Sequence, residues 1–334
     1  MDRNLLFTSA GRRVGLVRAF RREMDALGHP GSIVTADVRS DAPAHYFADR
    51  HLLLPPVDAP GYLDALLGAC ERHGIGWLIP LIDPELTVLA ANRSLFEAIG
   101  TTVVLSSAET VRLSSDKRLT YAFFREHGIA TPRTYDAEDP AIDRLPLPLF
   151  LKPADGSASQ HTHIVRTAEE LAFYRGHVPN AVVQDLIEGE EYTFDAFCDV
   201  DGAVRCVVPR LRIATRAGET SKGRTVRDPR LIEACWAVAE ALPGAVGCIT
   251  LQAFLTRSGE ILFTELNPRF GGGYPLSYAA GANYPRWLLE RQLGRAPAID
   301  PEAWRDGVVM LRYDDAVILE AGDHRGVAGD VRPG

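Results

Sequence analysis

Short apolar strands alternate with helical stretches through the first hundred residues of this chain. Residues 4–8 form a predicted strand, and residues 9–13 turn the chain into a helix whose apolar positions recur at helical spacing. Further strands are predicted at residues 32–37, 77–81 and 102–105, with helices between them. Because strands joined by helices run in the same direction, this alternation predicts a parallel, doubly wound sheet.

The first turn is compatible with a dinucleotide site, since an acid, Asp37, ends the second strand. The turn carries Gly11 and Gly15 but lacks the full G-x-G-x-x-G spacing, and two arginines follow Gly11. A glycine that only lets the chain turn from strand to helix is the favoured interpretation.

Length and composition limit the classes of protein that this chain can belong to. At 334 residues the chain is too long to fold around a single small hydrophobic core, so two or three domains are expected. Hydrophobic residues make up 46% and charged residues 24%, as is usual for a soluble α/β protein. The net charge of −8 argues against non-specific nucleic-acid binding.

The sequence also bears on the compartment. No apolar run approaches the roughly 20 residues of a membrane span, and no signal peptide is recognisable. The five cysteines are odd in number and form no C-x-x-C pair. We therefore expect free, buried thiols and a cytoplasmic protein with no membrane partner.

The most informative polar run closes a predicted strand, at residues 261–269. Alternation places Glu265, Asn267 and Arg269 on one face, provided that the backbone stays extended. Carboxylate and amide oxygens suit Mg²⁺, and the neighbouring cation suits phosphate or carboxylate. Gln252, on the preceding strand of a predicted hairpin, is a third candidate oxygen ligand. An exposed polar strand end would explain the same residues.

Two earlier segments favour the ligand-binding interpretation. Residues 149–153 form a strand that ends on Lys152, and the following loop contains Ser157. Such a loop can present backbone N–H groups and hydroxyls to phosphate, although most loops of this composition are simple hairpin turns. Residues 181–195 are predicted to form strand, turn and strand, which could hold adenine through its backbone.

Other charged residues follow. Glu191 lies on the returning strand of that pair, where it could meet a ribose, although an acidic cluster is most often a solvated turn. Arg210 and Arg212 share one strand face, so one of them could meet phosphate or a substrate carboxylate; a surface ion pair is the alternative. The basic loop at residues 216–227, which includes Lys222, fits either a lid over anions or disorder.

Taken in order, these motifs resemble the ATP-grasp superfamily and its carbamoyl-phosphate-synthase-like branch of carboxylate–amine ligases. The resemblance rests on Ser115-Asp116-Lys117, Leu151-Lys152-Pro153, Gln184-Asp185-Leu186-Ile187 with Glu191-Tyr192, Gln252, and Glu265-Leu266-Asn267-Pro268-Arg269. It implies an α/β fold, α+β in the C-terminal lobes: a Rossmann-like pre-ATP-grasp domain followed by a two-lobed ATP-grasp fold. The expected boundaries are 1–110, 111–188 for the small lobe, 189–320 for the large lobe, and a tail at 321–334.

The resemblance also implies roles for individual residues. ATP would be bound by Lys117, Lys152, Gln184, Asp185, Ile187 and Glu191; Mg²⁺ or Mn²⁺ by Gln252, Glu265 and Asn267; and Arg269 and Lys152 would act in catalysis. Beside the resemblance, the loops and the strand face described above make Ser157 and Lys222 further candidate ATP-binding residues, and Arg210 a further candidate catalytic residue. The implied reaction is ATP-dependent ligation of a small-molecule carboxylate to an amine through an acyl phosphate. A kinase on the same fold, or a non-catalytic nucleotide-binding protein, would be the alternatives, and a homodimer is compatible with any of them.

Overall fold

A computed structural model describes residues 3–155 and 161–320. Contacts between Cα atoms divide the chain into two compact units. The first contains the residues up to Leu105, Asn283–Ile299 and the segment from Arg312; the second contains Ser106–Ala282 and Asp300–Leu311.

The first unit is built on a five-stranded parallel sheet. Its strands are β1 (Asn4–Thr8), β2 (Ile33–Asp37), β3 (Arg50–Leu53), β4 (Ile75–Pro80) and β5 (Thr102–Val103), in the order β3-β2-β1-β4-β5. Its helices are α1 (Val14–Leu27), α2 (Tyr62–Arg72), α3 (Asp83–Ala91) and α4 (Arg93–Ala98). The strand order reverses beside β1, so the predicted doubly wound parallel sheet is confirmed.

Helix α1 shows how the sequence pattern becomes packing. Its buried positions include Leu16, Val17, Phe20 and Met24, which recur on one face. Phe20 meets Phe7 of β1 edge to face, with ring centroids 4.9 Å apart. The helix therefore packs its apolar face on the sheet.

A carboxylate is buried in this unit, beside the end of β1. The Glu85 oxygens accept hydrogen bonds from the hydroxyls of Thr8 at 2.7 Å, Ser9 at 2.5 Å and Tyr62 at 3.0 Å. Burial raises the pKa of Glu85, although the hydroxyl donors oppose the shift. These bonds tie β1, α2 and α3 together.

The second unit contains two antiparallel sheets. Its helices are α5 (Ala108–Ser115), α6 (Lys117–Glu126), α7 (Ala168–His177), α8 (Pro229–Ala241) and α9 (Tyr274–Ala280), and α10 (Tyr284–Gln292) follows in the first unit. The smaller sheet contains β6 (Thr134–Asp136), β7 (Leu149–Pro153), β8 (His163–Val165) and β9 (Ala181–Asp185), in the order β6-β9-β7-β8. The larger contains β10 (Gly189–Cys198), β11 (Val204–Arg216), β12 (Glu219–Thr225), β13 (Gly247–Thr256), β14 (Ile261–Asn267) and β15 (Val309–Leu311).

The larger sheet, in the order β14-β13-β10-β11-β12-β15, has one apolar and one polar face. On β10, Tyr192, Phe194 and Ala196 belong to a core cluster that also contains residues of α8. Thr193 and Asp195 alternate with them and therefore point to the opposite face. The antiparallel sheets and their helices confirm the α+β class expected for the C-terminal part.

One stretch differs from its prediction. The basic segment around Lys222, expected as a lid or a disordered loop, is the strand β12, which pairs with β11 on one side and β15 on the other. The expectation was wrong because the Gly and Lys content of this segment, taken by itself, favours a loop. The segment forms a strand because β11 and β15 provide partners for its backbone hydrogen bonds.

Two further observations concern the helices. Asp116 is the N-cap of α6, since its carboxylate accepts a hydrogen bond from the Arg118 N–H at 2.7 Å. Within the described part of the chain, every helix is too short or too polar to cross a membrane.

Candidate nucleotide site

A cavity of about 380 Å³ lies within the second unit, between its smaller and larger sheets. This volume is in the range of small-molecule sites, about 300–1,000 Å³. Its charged and amide side chains are Lys117, Lys152, Gln184, Asp185, Glu191, Arg212, Gln252 and Glu265; its other lining residues are Phe150, Pro153, Thr162, Ile164, Leu186, Ile187, Thr215, Phe254 and Thr264. Residues that are far apart in sequence thus meet in one place.

Two lysines approach the cavity from the side of the smaller sheet. Lys117 is the first residue of α6, and both its backbone N–H and its Nζ donate to the carbonyl of Ala154, at 2.9 and 3.3 Å. Lys152 lies in β7 and is only 7% exposed. Within residues 3–155 and 161–320, the Lys152 ammonium has no hydrogen-bond partner.

The environment of Lys152 changes its titration. Burial lowers the pKa of Lys152 to about 8; Glu265 and Glu191 raise it, while the charge of Lys117 lowers it further. A buried cation without a hydrogen-bond partner is costly unless an anion compensates it. The two lysines therefore make this part of the cavity suitable for a polyanion.

The larger sheet contributes a carboxylate and an amide that lie opposite each other on neighbouring strands. Gln252 of β13 lies directly opposite Glu265 of β14, so both side chains point to the polar face. Among the described residues, 3–155 and 161–320, no group donates a hydrogen bond to the Glu265 carboxylate. The pair offers two hard oxygen donors to the cavity.

A β-bulge in β14 determines the direction in which the Glu265 side chain points. Ala253 pairs with Phe263 and Gln252 with Glu265, so Thr264 is an extra residue in β14. Phe263 belongs to the core cluster, whereas Thr264 and Glu265 both line the cavity. Strict alternation would have put Phe263 and Glu265 on the same face; the bulge separates them.

An ion pair closes another side of the cavity. Arg212 Nη1 lies 3.0 Å from Glu191 Oε1, and Arg212 Nη2 donates to the carbonyl of Gly218 at 3.0 Å. The Arg212 side chain is only 6% exposed. Burial raises the pKa of Glu191 while Arg212 lowers it, with a net upward shift. Glu191 is thus oriented by a fixed guanidinium.

The segment that joins β9 to β10 forms a further wall. Gln184 is buried, and its amide donates to the Thr134 hydroxyl at 2.7 Å. Asp185, Leu186 and Ile187 follow it along the cavity. Together with Phe150, Ile164 and Phe254, they give the cavity an apolar part suited to a flat ring.

Asn267 and Arg269 lie together but outside the cavity lining. Strand β14 ends at Asn267, and the Arg269 N–H donates to the Asn267 carbonyl at 2.8 Å, so the backbone turns there. The Arg269 guanidinium donates to Asn267 Oδ1 at 3.1 Å. The expected extended run therefore stops at Asn267, yet the two side chains still meet.

Two other predicted site residues, Arg210 and Lys222, are not brought to the cavity. Arg210 is buried, and its Nε and Nη2 donate to the Asp195 carboxylate at 2.7 and 2.9 Å. Lys222 is exposed on β12 and does not line the cavity. Ser157 lies outside the described residues.

The backbone after β14 explains why Arg210 is covered. A Cβ on Gly273 would clash with Arg210 Nη1, and one on Gly271 would press on the Thr250 side chain. The glycine-rich segment therefore lies directly on this part of the polar face, above the pair of Arg210 and Asp195. Ser277 of α9 also donates to Asp195, at 2.6 Å.

Sequence reasoning missed most of the apolar lining. Phe150 stands two positions before Lys152, and Phe254 two positions after Gln252. Because side chains two apart in a strand share a face, the chosen polar residues could have identified both. Thr162, Ile164 and Thr215 had no comparable signal.

Comparison with known proteins agrees with this architecture. Residues 5–104 match the family "PylC-like, N-terminal domain", and residues 114–273 match the family "ATP-grasp domain". A formate-dependent phosphoribosylglycinamide formyltransferase of Synechococcus sp. (strain RCC307) is 27% identical over 257 residues, covering 71% of this chain and 63% of the relative. A carbamoyl-phosphate synthase of Methanobrevibacter smithii is 28% identical over 142 residues, covering 41% of this chain and 39% of the relative.

The chain therefore spans less than two thirds of the length of these relatives. Among solved structures, the biotin carboxylase domain of Hydrogenobacter thermophilus 2-oxoglutarate carboxylase, a dimer in complex with MgADP, ADP and bicarbonate, superposes with a TM-score of 0.73. It is 19% identical and covers 92% of this chain and 73% of that chain, a likeness of fold. The chain therefore contains an ATP-grasp domain at residues 114–273, preceded by a PylC-like N-terminal domain at residues 5–104.

Proposed function

We propose that this protein is an ATP-dependent carboxylate–amine ligase that forms an amide bond through an acyl phosphate. One observation carries the proposal: Lys117 of α6, Lys152 of β7 and an acid–amide pair of the larger sheet converge on a single cavity of an ATP-grasp domain. A triphosphate needs cations for its oxygens and a metal site beside them, and both are provided by this set.

The lining of the cavity favours one orientation of a bound nucleotide. Phe150, Ile164 and Phe254 offer an apolar slot for adenine beside the backbone of Asp185 and Ile187, and Gln184 lies next to it. Glu191 would accept hydrogen bonds from the ribose hydroxyls. The phosphates would then extend toward Lys117 and Lys152, the cations of the smaller-sheet side.

The donor set fits Mg²⁺. Glu265 supplies a carboxylate with no competing hydrogen bond within the described ranges, and Gln252 supplies an amide oxygen opposite it. Asn267 would complete the set through Oδ1, which already accepts one hydrogen bond from Arg269 and keeps a second lone pair. When bound, Mg²⁺ would neutralise phosphate charge at these oxygens; Mn²⁺ would suit the same donors.

The chemistry requires charge neutralisation more than a protein nucleophile. A substrate carboxylate oxygen attacks the γ-phosphorus, the bond to ADP breaks, and an acyl phosphate forms. The amine then attacks the acyl carbon, phosphate leaves, and the amine loses a proton. Lys152 and Arg269 would stabilise the transferring phosphoryl charge.

Two roles expected from the sequence are assigned differently, and one is kept. Arg210 is proposed to support the glycine-rich segment through Asp195 rather than to contact phosphate. Lys222 would not contact nucleotide unless β12 moved. Ser157 remains a proposed phosphate ligand. Free, buried cysteines support the reducing cytoplasm expected from the sequence.

Phosphate release measured with ATP, Mg²⁺ and paired amino acids would test the proposal. We expect release that needs both a carboxylate and an amine, and a loss of about 10²-fold or more in Glu265→Gln. Glu240→Gln, on the exposed surface of α8, is the matched control and should retain wild-type turnover. ADP release with a stable phosphorylated product and no amine requirement would identify a kinase instead.

A further inference from the structure

The side-chain amide of Gln184 is held by a residue that lies outside the cavity lining. Gln184 of β9 is opposite Thr134 of β6 in the sheet register, and Gln184 Nε2 lies 2.7 Å from Thr134 Oγ1. Gln184 is 4% exposed and lines the cavity, whereas Thr134 is not a lining residue. Thr134 can therefore influence a molecule in the cavity through the Gln184 amide, without a contact of its own.

The surroundings of Thr134 determine which end of the amide faces it. A hydroxyl has a single proton to donate, and Thr134 Oγ1 lies 3.2 Å from the Pro132 carbonyl, which can only accept. The hydroxyl therefore donates to Pro132 and accepts from the NH₂ group of Gln184. With the amide reversed, the hydroxyl would have to donate to Gln184, and the carbonyl of the buried Pro132 would lose the one partner that the described residues give it.

The carbonyl oxygen of the Gln184 side chain is left for a ligand. Across residues 3–155 and 161–320, no group donates a hydrogen bond to Gln184 Oε1. This atom is not one of the fully buried polar atoms without a partner, so it keeps accessible surface. Gln184 also lies opposite Phe150 of β7, another lining residue. The oxygen is thus an oriented hydrogen-bond acceptor beside the apolar part of the cavity.

We propose that Thr134 is a positioning residue that makes the site select a 6-aminopurine over a 6-oxopurine, because it holds the Gln184 oxygen toward the base. The inference rests on the proposed function, in which a nucleotide base occupies this part of the cavity. An exocyclic amino group donates a hydrogen bond to the Gln184 oxygen. A keto oxygen at the same place would meet it as a second acceptor, and both would lose their hydrogen bonds to water.

A glutamine at this position needs such support, because its two terminal atoms differ. Both oxygens of an ionised carboxylate accept hydrogen bonds, so a rotated glutamate would still present an acceptor. A rotated glutamine amide would instead present its NH₂ group to the base and would favour a keto oxygen. The choice of base therefore depends on the group that fixes the amide, which here is the Thr134 hydroxyl bonded to Pro132.

ADP and inosine diphosphate test the inference, since these nucleotides differ only at the purine edge that carries the amino or the keto group. In calorimetric titration of the full chain, the wild type should bind ADP more tightly by about tenfold or more. Thr134→Val removes the hydroxyl and should reduce this ratio by about fivefold or more, as should Thr134→Ala. Thr134→Ser keeps the hydroxyl and should retain the ratio. Thr131→Val, the same change at a residue without a bond to Gln184, is the matched control.

A double-mutant cycle shows whether Thr134 acts through Gln184. In a Gln184→Leu background the acceptor is gone, so Thr134→Val should change the ratio of the two dissociation constants by less than about twofold. A purely structural role of Thr134 would weaken both nucleotides alike and leave the ratio unchanged. Equal binding of both nucleotides by the wild type, or a ratio unaffected by Thr134→Val, would overturn this inference alone. Absence of ADP binding would overturn the proposed nucleotide site as well.

Discussion

Arg212 Nη1 lies 3.0 Å from Glu191 Oε1 at the wall of the candidate nucleotide site, and the guanidinium is held in turn by the Gly218 carbonyl. The pair is only partly exposed, so its carboxylate is held in one orientation at a position suited to ribose hydroxyls. Arg212 was noticed in the sequence only for sharing a strand face with Arg210.

This contact predicts coupling between the two residues in nucleotide binding. Arg212→Met should weaken ADP binding in the wild-type background and have a smaller effect when Glu191→Gln is already present. The expected coupling energy is about 1 kcal/mol, because the two side chains touch. Isothermal titration of the four proteins with ADP measures it. Additive effects would show that Arg212 does not act through Glu191.

The lowered pKa of Lys152 predicts a pH dependence of binding. Above about pH 8 the free protein loses the ammonium charge, so binding of a polyanion must take up a proton. The ADP association constant should then fall by up to about tenfold per pH unit. Lys152→Arg, which stays protonated, should bind ADP with little change between pH 8 and pH 9.5. Proton uptake, measured by calorimetry in buffers of different ionisation enthalpy, checks the same point.

The lowered pKa of Lys152 also predicts how the free energy of unfolding changes with pH. Since the folded pKa of Lys152 lies below the unfolded value, the unfolded chain binds more protons between about pH 8 and pH 10.5. This group alone should therefore raise the free energy of unfolding as pH rises through that window, by about 3 kcal/mol in total. Urea unfolding of the wild type and Lys152→Met across the window gives the difference. A decrease in that difference with pH would contradict the assignment.

The close approach of Gly273 to Arg210 predicts that an added side-chain atom at position 273 lowers stability. Gly273→Ala should lower the free energy of unfolding by about 1–3 kcal/mol, because its Cβ would clash with a buried, ion-paired guanidinium. Gly176→Ala in α7 is the matched control, since its Cβ meets nothing within 4 Å and should cause no loss. Equal unfolding midpoints for both variants in urea would show that the segment does not rest on Arg210.

Glu85 predicts an opposite pH dependence in the first unit. Its pKa is raised by burial, so above the usual glutamate pKa the folded state retains a proton that the unfolded chain has lost. The free energy of unfolding should consequently fall as pH rises from the ordinary pKa to the raised one. Glu85→Gln should remove this slope, whereas Glu97→Gln, exposed on α4, should keep it. Denaturant unfolding of the three proteins from pH 4.5 to 7.5 is the measurement.

The sequence was sufficient for the class of fold and for the family. Alternating strands and helices require a parallel sheet at the start of the chain, and five ordered motifs resemble one superfamily. Eight of the thirteen proposed site residues line one cavity, namely Lys117, Lys152, Gln184, Asp185, Ile187, Glu191, Gln252 and Glu265. Their roles stay predictions.

Only the tertiary structure decided which polar residues face that cavity. Simple alternation along β14 predicts that Phe263 and Glu265 point to the same face. Because of the bulge at Thr264, Phe263 points into the core and Glu265 into the cavity. Arg210 and Arg212 share a strand face, but the glycine-rich segment covers only Arg210, and that contact comes from residues more than sixty positions away. The physical reason is that both a bulge and the packing of distant backbone depend on neighbouring segments. The bulge changes the side on which a residue points, and the packing determines whether that side is exposed.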